Sequence, residues 1–147
     1  MPTNYKESAF RHYRDAEFLW ASADPKRFLN ASQLFGFSGE CSLKAVLVGL
    51  GLPTKPNGTV SDTKLYSHLP RLWNQFALFA SGSVGAQYLA IASPSPTLPD
   101  PFSTWDVNDR YGPNTTGAVR NAEFLSHRES AKDFIALLEL AIEDGII

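Results

Sequence analysis

The chain is poor in the residues that cross-link proteins or bind metals. Its 147 residues include one cysteine, Cys41, and three histidines. A lone cysteine excludes an intrachain disulfide, and so few soft ligands argue against a structural zinc site. An excess of basic charge is missing as well. Lys and Arg number 13 against 15 Asp and Glu, for a formal net charge of -2. That balance excludes a broad basic face that binds nucleic acid by neutralising many phosphates. Between Arg71 and Asp100 there is no charged residue at all. The stretch is still no membrane span, because Asn74, Gln75, Gly82, Gly85 and Gln87 interrupt it before Pro94, Pro96 and Pro99. A spanning helix needs about 20 consecutive apolar residues. No phosphate-binding glycine loop, no Ser/His/Asp order and no acidic metal cluster stands out. Neither a metal nor a cofactor is expected.

Enough remains to build a core. At 44% hydrophobic residues the chain is too apolar for disorder, and its length fits one domain over residues 1–147. Met1–Lys6 leads straight into a charged segment with Arg11, Arg14 and Glu17 and has no signal-peptide pattern, which points to the cytoplasm.

Helical periodicity recurs along the chain, and no segment shows convincing strand alternation. Asn4 and Glu7 approximate a capping box for a helix from Tyr5 to Ala23, with Phe10, Tyr13, Ala16 and Trp20 on one stripe. Asp24-Pro25 ends it and starts a second helix, Pro25 to Leu50, stopped by Gly51. Ser32, Gly36, Ser38, Gly39 and Ser42 make its middle small, which calls for close approach of a neighbouring helix. Residues 51–63 have loop composition. Leu65, Leu69, Leu72, Phe76 and Phe79 then form a seam divided at Pro70, and Gly82–Ala92 reads as a further short helix. The prolines of Ser93–Pro101 impose an extended connection before a last helix from Gly117 to Glu143. The expected fold is all-α, an up-down bundle of four to five helices with a proline-rich loop before the last long one.

Several side chains in this frame are equipped for chemistry. Glu40 and Lys44 stand four apart in the favourable orientation for a helix ion pair, inside an apolar, small-residue helix. They fit a polar site within the bundle, or a plain surface pair. His68, ahead of the Leu-Phe seam, is a ligand-site or a capping residue. The loop from Trp105 through Arg110 and Tyr111 to Pro113 is dense in specific side chains. Its Arg110 is placed to pair with Glu40 or to face a phosphate. Arg120 and His127, seven apart on the last helix, share a face. An Arg and a His together supply charge stabilisation and proton transfer, the minimum for metal-free RNA cleavage. Otherwise Arg120 is solvated and His127 is a hydrogen-bonded seam residue.

Taken in order, four segments resemble the HEPN (higher eukaryote and prokaryote nucleotide-binding) family: Tyr13-Arg14-Asp15-Ala16-Glu17-Phe18-Leu19, Phe35 to Ala45, Lys64-Leu65-Tyr66-Ser67-His68-Leu69, and Asp109-Arg110-Tyr111. The resemblance covers nearly the whole chain. It implies a helical bundle that forms homodimers and works around nucleotides or RNA, either as a nucleotide-binding module or as partner of a minimal nucleotidyltransferase in toxin–antitoxin pairs. On that reading Glu40, Lys44, His68, Trp105, Arg110 and Tyr111 form the ligand site. The family's ribonucleases imply an alternative, a metal-independent endoribonuclease with Arg120 and His127 as catalytic residues. Either Arg110 or Arg120 takes the family's arginine position. A structural bundle without ligand is the third reading.

Overall fold

The computed structural model describes residues 2–147 apart from 66, 70, 82–84, 94–98 and 114–116. The side chain of Asn4 accepts the Glu7 N–H at 3.0 Å and opens α1, Tyr5–Ala21. Asp24 accepts the Lys26 N–H at 3.1 Å. Behind it Pro25–Arg27 forms a 3-10 turn, so the regular helix α2 starts at Phe28 and runs to Gly49. The helix ends in a Schellman motif: Leu52 N–H donates to the Leu47 carbonyl, Gly51 N–H to that of Val48, and Gly51 takes φ 103°. Helices α3 (Arg71–Ala80), α4 (Ala86–Ala92) and α5 (Ala118–Glu143) follow, with a second 3-10 turn at Val107–Tyr111 before α5. The last helix repeats the same ending at Gly145, φ 76°. Among the described residues the fold is an all-α bundle of five helices, as expected, and none belongs to a strand. None of the described helices is long and apolar enough to cross a membrane.

Two expectations shift at the shorter elements. Phe79 does not face the core and is 38% exposed, while Leu72, Trp73, Phe76 and Ala80 are buried. Leu72, Trp73, Phe76 and Ala80 set the buried face of α3 and leave Phe79 at its margin; the helix begins at Arg71, in line with the expected division, with Leu65 and Leu69 buried ahead of it. The short helix before the proline tract begins at Ala86, and its expected start at 82–84 lies outside the described residues. Most of the proline tract, 94–98, does too. At its margins the Ser93 hydroxyl donates to the Pro99 carbonyl at 2.8 Å.

Helix α2 is the axis of the bundle, packed by α1, α3 and α5. Its small residues serve two different neighbours. Ser38 meets a helix as expected, its hydroxyl donating to the Ala9 carbonyl of α1 at 2.9 Å. Gly36 instead makes room for the Trp105 ring from the turn before α5, while Gly39 receives both Phe102 of that turn and Phe134 of α5. Phe102 packs edge-on to Phe134 at 5.2 Å, and Trp73 stacks on Phe134 at 6.1 Å. A methyl group at Gly36 would fall inside the buried indole. Gly36→Ala should therefore cost about 1–3 kcal/mol in denaturant unfolding despite the better helix propensity of alanine.

Candidate functional site

The burial of α2 leaves one carboxylate inside the bundle. Glu40 is 5% exposed. The loop returning from the end of α2 supplies its partners. Leu69 N–H donates to Oε1 at 3.0 Å, and His68 Nδ1 lies 2.9 and 3.1 Å from the two oxygens. Burial pushes the Glu40 carboxyl above its ordinary range, opposed by His68, the Leu69 N–H and Lys44. The bond at Nδ1 sets the ring orientation and leaves Nε2 on the edge away from the buried carboxylate. The His68 side chain is 53% exposed.

Lys44 follows one turn along α2, its ammonium 5.8 Å from the centre of the Tyr5 ring. The Tyr5 hydroxyl accepts the Val60 N–H at 3.1 Å. Thr3 N–H donates to the Asn57 carbonyl at 2.7 Å, and the Thr3 and Thr59 hydroxyls meet at 3.0 Å. The residues ahead of α1 are thus fastened to the 57–60 loop. Between them and α2 lies a cavity of about 270 Å³ lined by Thr3, Tyr5, Lys44, Thr59, Ser67 and His68. Its lining is an ammonium, an imidazole and four hydroxyls. No carboxylate is among the lining residues, and Glu40 is bonded to the imidazole at Nδ1. The ammonium favours an anion, while among the hydroxyls Ser67 donates to the Lys64 carbonyl at 3.2 Å and Thr3 and Thr59 bond each other.

Three of the six expected ligand residues, Glu40, Lys44 and His68, come together here. The other three do not. Trp105 is corrected to a core residue: it is 2% exposed, fills the space over Gly36, and its indole N–H donates to the Ser32 carbonyl at 3.0 Å. Arg110 is exposed and lies 4.7 Å over the ring of Tyr111, itself 77% exposed. Both belong to a turn anchored near Gln33, whose side-chain amide donates to the Asp106 carbonyl at 2.8 Å. Gln33 precedes Glu40 by seven helical residues, roughly 10 Å along the axis. Glu40 accordingly pairs with His68 and Leu69 rather than with Arg110. The hydroxyl residues of the cavity, Thr3, Thr59 and Ser67, carried no spacing signal, since turns and an extended segment deliver them. Ser67 alone was adjacent to a residue already singled out.

Arg120 and His127 have a different setting. Arg120 binds Asp109 and, at 2.7 Å, Glu123, and lies 4.8 Å over the Phe124 ring. His127 is 1% exposed. Its Nδ1 bonds the Ser32 hydroxyl at 2.6 Å, its Nε2 the Thr104 hydroxyl at 2.8 Å, and its ring stacks on Phe102. Burial, with Arg120 adding to it, lowers its pKa to about 4. The imidazole is therefore neutral near pH 7, with both nitrogens engaged. Cys41 is half-buried and burial pushes its thiol up to about 11, so it is a poor nucleophile. Among the described residues no group of three His, Cys, Asp or Glu is arranged to hold a metal ion. No family model, curated protein or solved structure matches the chain.

The setting of His127 has a consequence for stability. The unfolded chain protonates this side chain near pH 6.5 and the folded chain only near 4. Between those values the unfolded state binds more protons, so the contribution of His127 is complete above pH 6.5 and falls as pH drops toward 4. The shift corresponds to roughly 3 kcal/mol. Asp100, raised by burial to about 6, contributes in the opposite direction. The comparison that isolates His127 is with His127→Gln. The stability advantage of the parent chain over this variant should shrink between pH 6.5 and 4 in urea melts.

Proposed function

We propose that the chain is a HEPN-like binding module for a phosphate-bearing ligand, in the first instance a nucleotide, held in the cavity of Lys44 and His68. The observation that carries this reading is the convergence of an ammonium, an imidazole held by a buried carboxylate, and several hydroxyls on one concave surface. Lys44 supplies a point charge. His68 presents the edge of its ring away from Glu40, with Nδ1 engaged by that carboxylate. Thr3 and Thr59, whose hydroxyls bond each other, and Ser67, whose hydroxyl donates to the Lys64 carbonyl, complete the polar lining. The resemblance of the segments around Glu40 and His68 to HEPN proteins supports nucleotide as the ligand class. It also brings the expectations of a homodimer, of a nucleotidyltransferase-type protein partner and of residence in the cytoplasm.

The ribonuclease reading rests on Arg120 and His127 sharing a face of α5, and it ranks lower. RNA would have to displace Asp109 and Glu123 from Arg120 and the Thr104 hydroxyl from His127 before either group could act. The neutral, low-pKa imidazole is also a weak base.

Titration calorimetry with nucleoside mono- and diphosphates tests the binding reading. A charge-assisted hydrogen bond contributes about 1.5–3 kcal/mol, so Lys44→Ala should weaken binding by roughly 10- to 100-fold. His68→Ala should weaken it as well, because the imidazole lines the same cavity. Absence of heat with every nucleotide would remove the proposal. RNA incubated with the chain in chelator should remain intact, and cleavage abolished by His127→Ala would reinstate the enzyme.

A further inference from the structure

A second cavity of about 460 Å³ adjoins the first, and Thr3 and Tyr5 line both. Its character is different. Ala45 and Val48 of α2 form one apolar wall, and Ile146 and Ile147 form the other. The second wall is fixed in place because the chain after α5 turns back at Gly145 and lies along the end of α2, where Gly49 has no side chain to hold it off. Lys44 and Ala45, adjacent in the chain, line different cavities, and Val48 is one helical turn from Lys44. The two compartments therefore lie side by side along one face of α2, separated by about 6 Å of helix.

We infer that the two cavities are the halves of one ligand site, for a phosphomonoester whose phosphate sits between Lys44 and His68 and whose planar or apolar body lies between Val48 and Ile146. The inference rests on the proposed anion site and adds the class of molecule it selects. Size supports it. Small-molecule sites commonly measure about 300–1,000 Å³. The polar cavity alone falls below that range, enough for an anionic group and little else, whereas the pair lies within it. Chemistry supports it too, because Lys44 and His68 line only the first cavity, whereas Val48, Ile146 and Ile147 line only the second, which Asn4, Lys6 and Thr54 also border. Tyr5 stands between them with its hydroxyl tied to Val60 N–H, so its ring is a fixed shared surface.

The test compares inorganic phosphate, ribose 5-phosphate, phenyl phosphate and adenosine monophosphate by calorimetry at one pH and salt. The expected result is at least a tenfold gain in affinity from phosphate to phenyl phosphate and to adenosine monophosphate, with ribose 5-phosphate gaining less. Val48→Trp, which fills the apolar half, and Ile147→Asp, which charges the opposite wall, should each bring the ratio of phenyl phosphate to phosphate affinity toward one. Thermal melts of both variants confirm that they fold. Equal affinity across the series overturns the two-part site and leaves the anion site standing. A gain that survives in folded Val48→Trp and Ile147→Asp also overturns it. No binding by any probe overturns both.

Discussion

A carboxylate inside a helical bundle must find partners, and the partners of Glu40 organise one end of this molecule. Its oxygens take the Leu69 N–H and the His68 imidazole from the segment that returns after α2. That segment has little regular structure of its own, so the buried acid is one of the few directional contacts holding it to the helix. With His68 fastened there, the hydroxyls of Thr59 and Ser67 and the ring of Tyr5 close around Lys44. Losing one member of a buried, hydrogen-bonded polar set leaves another unsatisfied, which costs about 1–3 kcal/mol or more for a charge. The cavity is thus a by-product of satisfying Glu40.

The two histidines show how one side chain takes opposite roles by placement. His68 shares its ring between a buried acid and an open cavity, keeping one nitrogen outward. His127 is enclosed by Phe102 and two hydroxyls, and burial holds it neutral. It bridges α2 and the turn before α5 as a polar linker within the core. The Trp105 indole and Phe102, set into the notches at Gly36 and Gly39, tie that same turn to the same helix. Aromatic burial and polar pairing together place the irregular segment before α5 against the middle of α2.

Much of the architecture was legible before any coordinates. Asn4, Asp24, Gly51 and the apolar stripes marked the long helices to within a few residues, because caps and periodicity are local physics. Two of the errors share a cause. Trp105 looks like a loop residue with a free aromatic face until Gly36 is seen to receive it, and Arg110 looks like a partner for Glu40 until the turn is seen to dock near Gln33. Phe79 keeps the helical spacing of Leu72 and Phe76, but the buried face of α3 runs through Leu72, Trp73, Phe76 and Ala80 and leaves it exposed. For Trp105 and Arg110 a contact distant in sequence decided the outcome.

What the sequence determined by itself was the helical class and the presence of Glu40, Lys44 and His68 as polar groups out of keeping with their surroundings. Hydrogen-bond geometry within a few residues and the burial of apolar faces are sufficient for that. Which polar groups meet was decided only by the tertiary structure. Thr3 and Ser67 are far apart in the chain, and the closure of turns 51–69 against α1 and α2 brings them to one cavity. Arg120 and His127 illustrate the converse. Their spacing placed them on one face, but whether such a face is open to a ligand depends on what packs over it, and here carboxylates, a hydroxyl and an aromatic ring do.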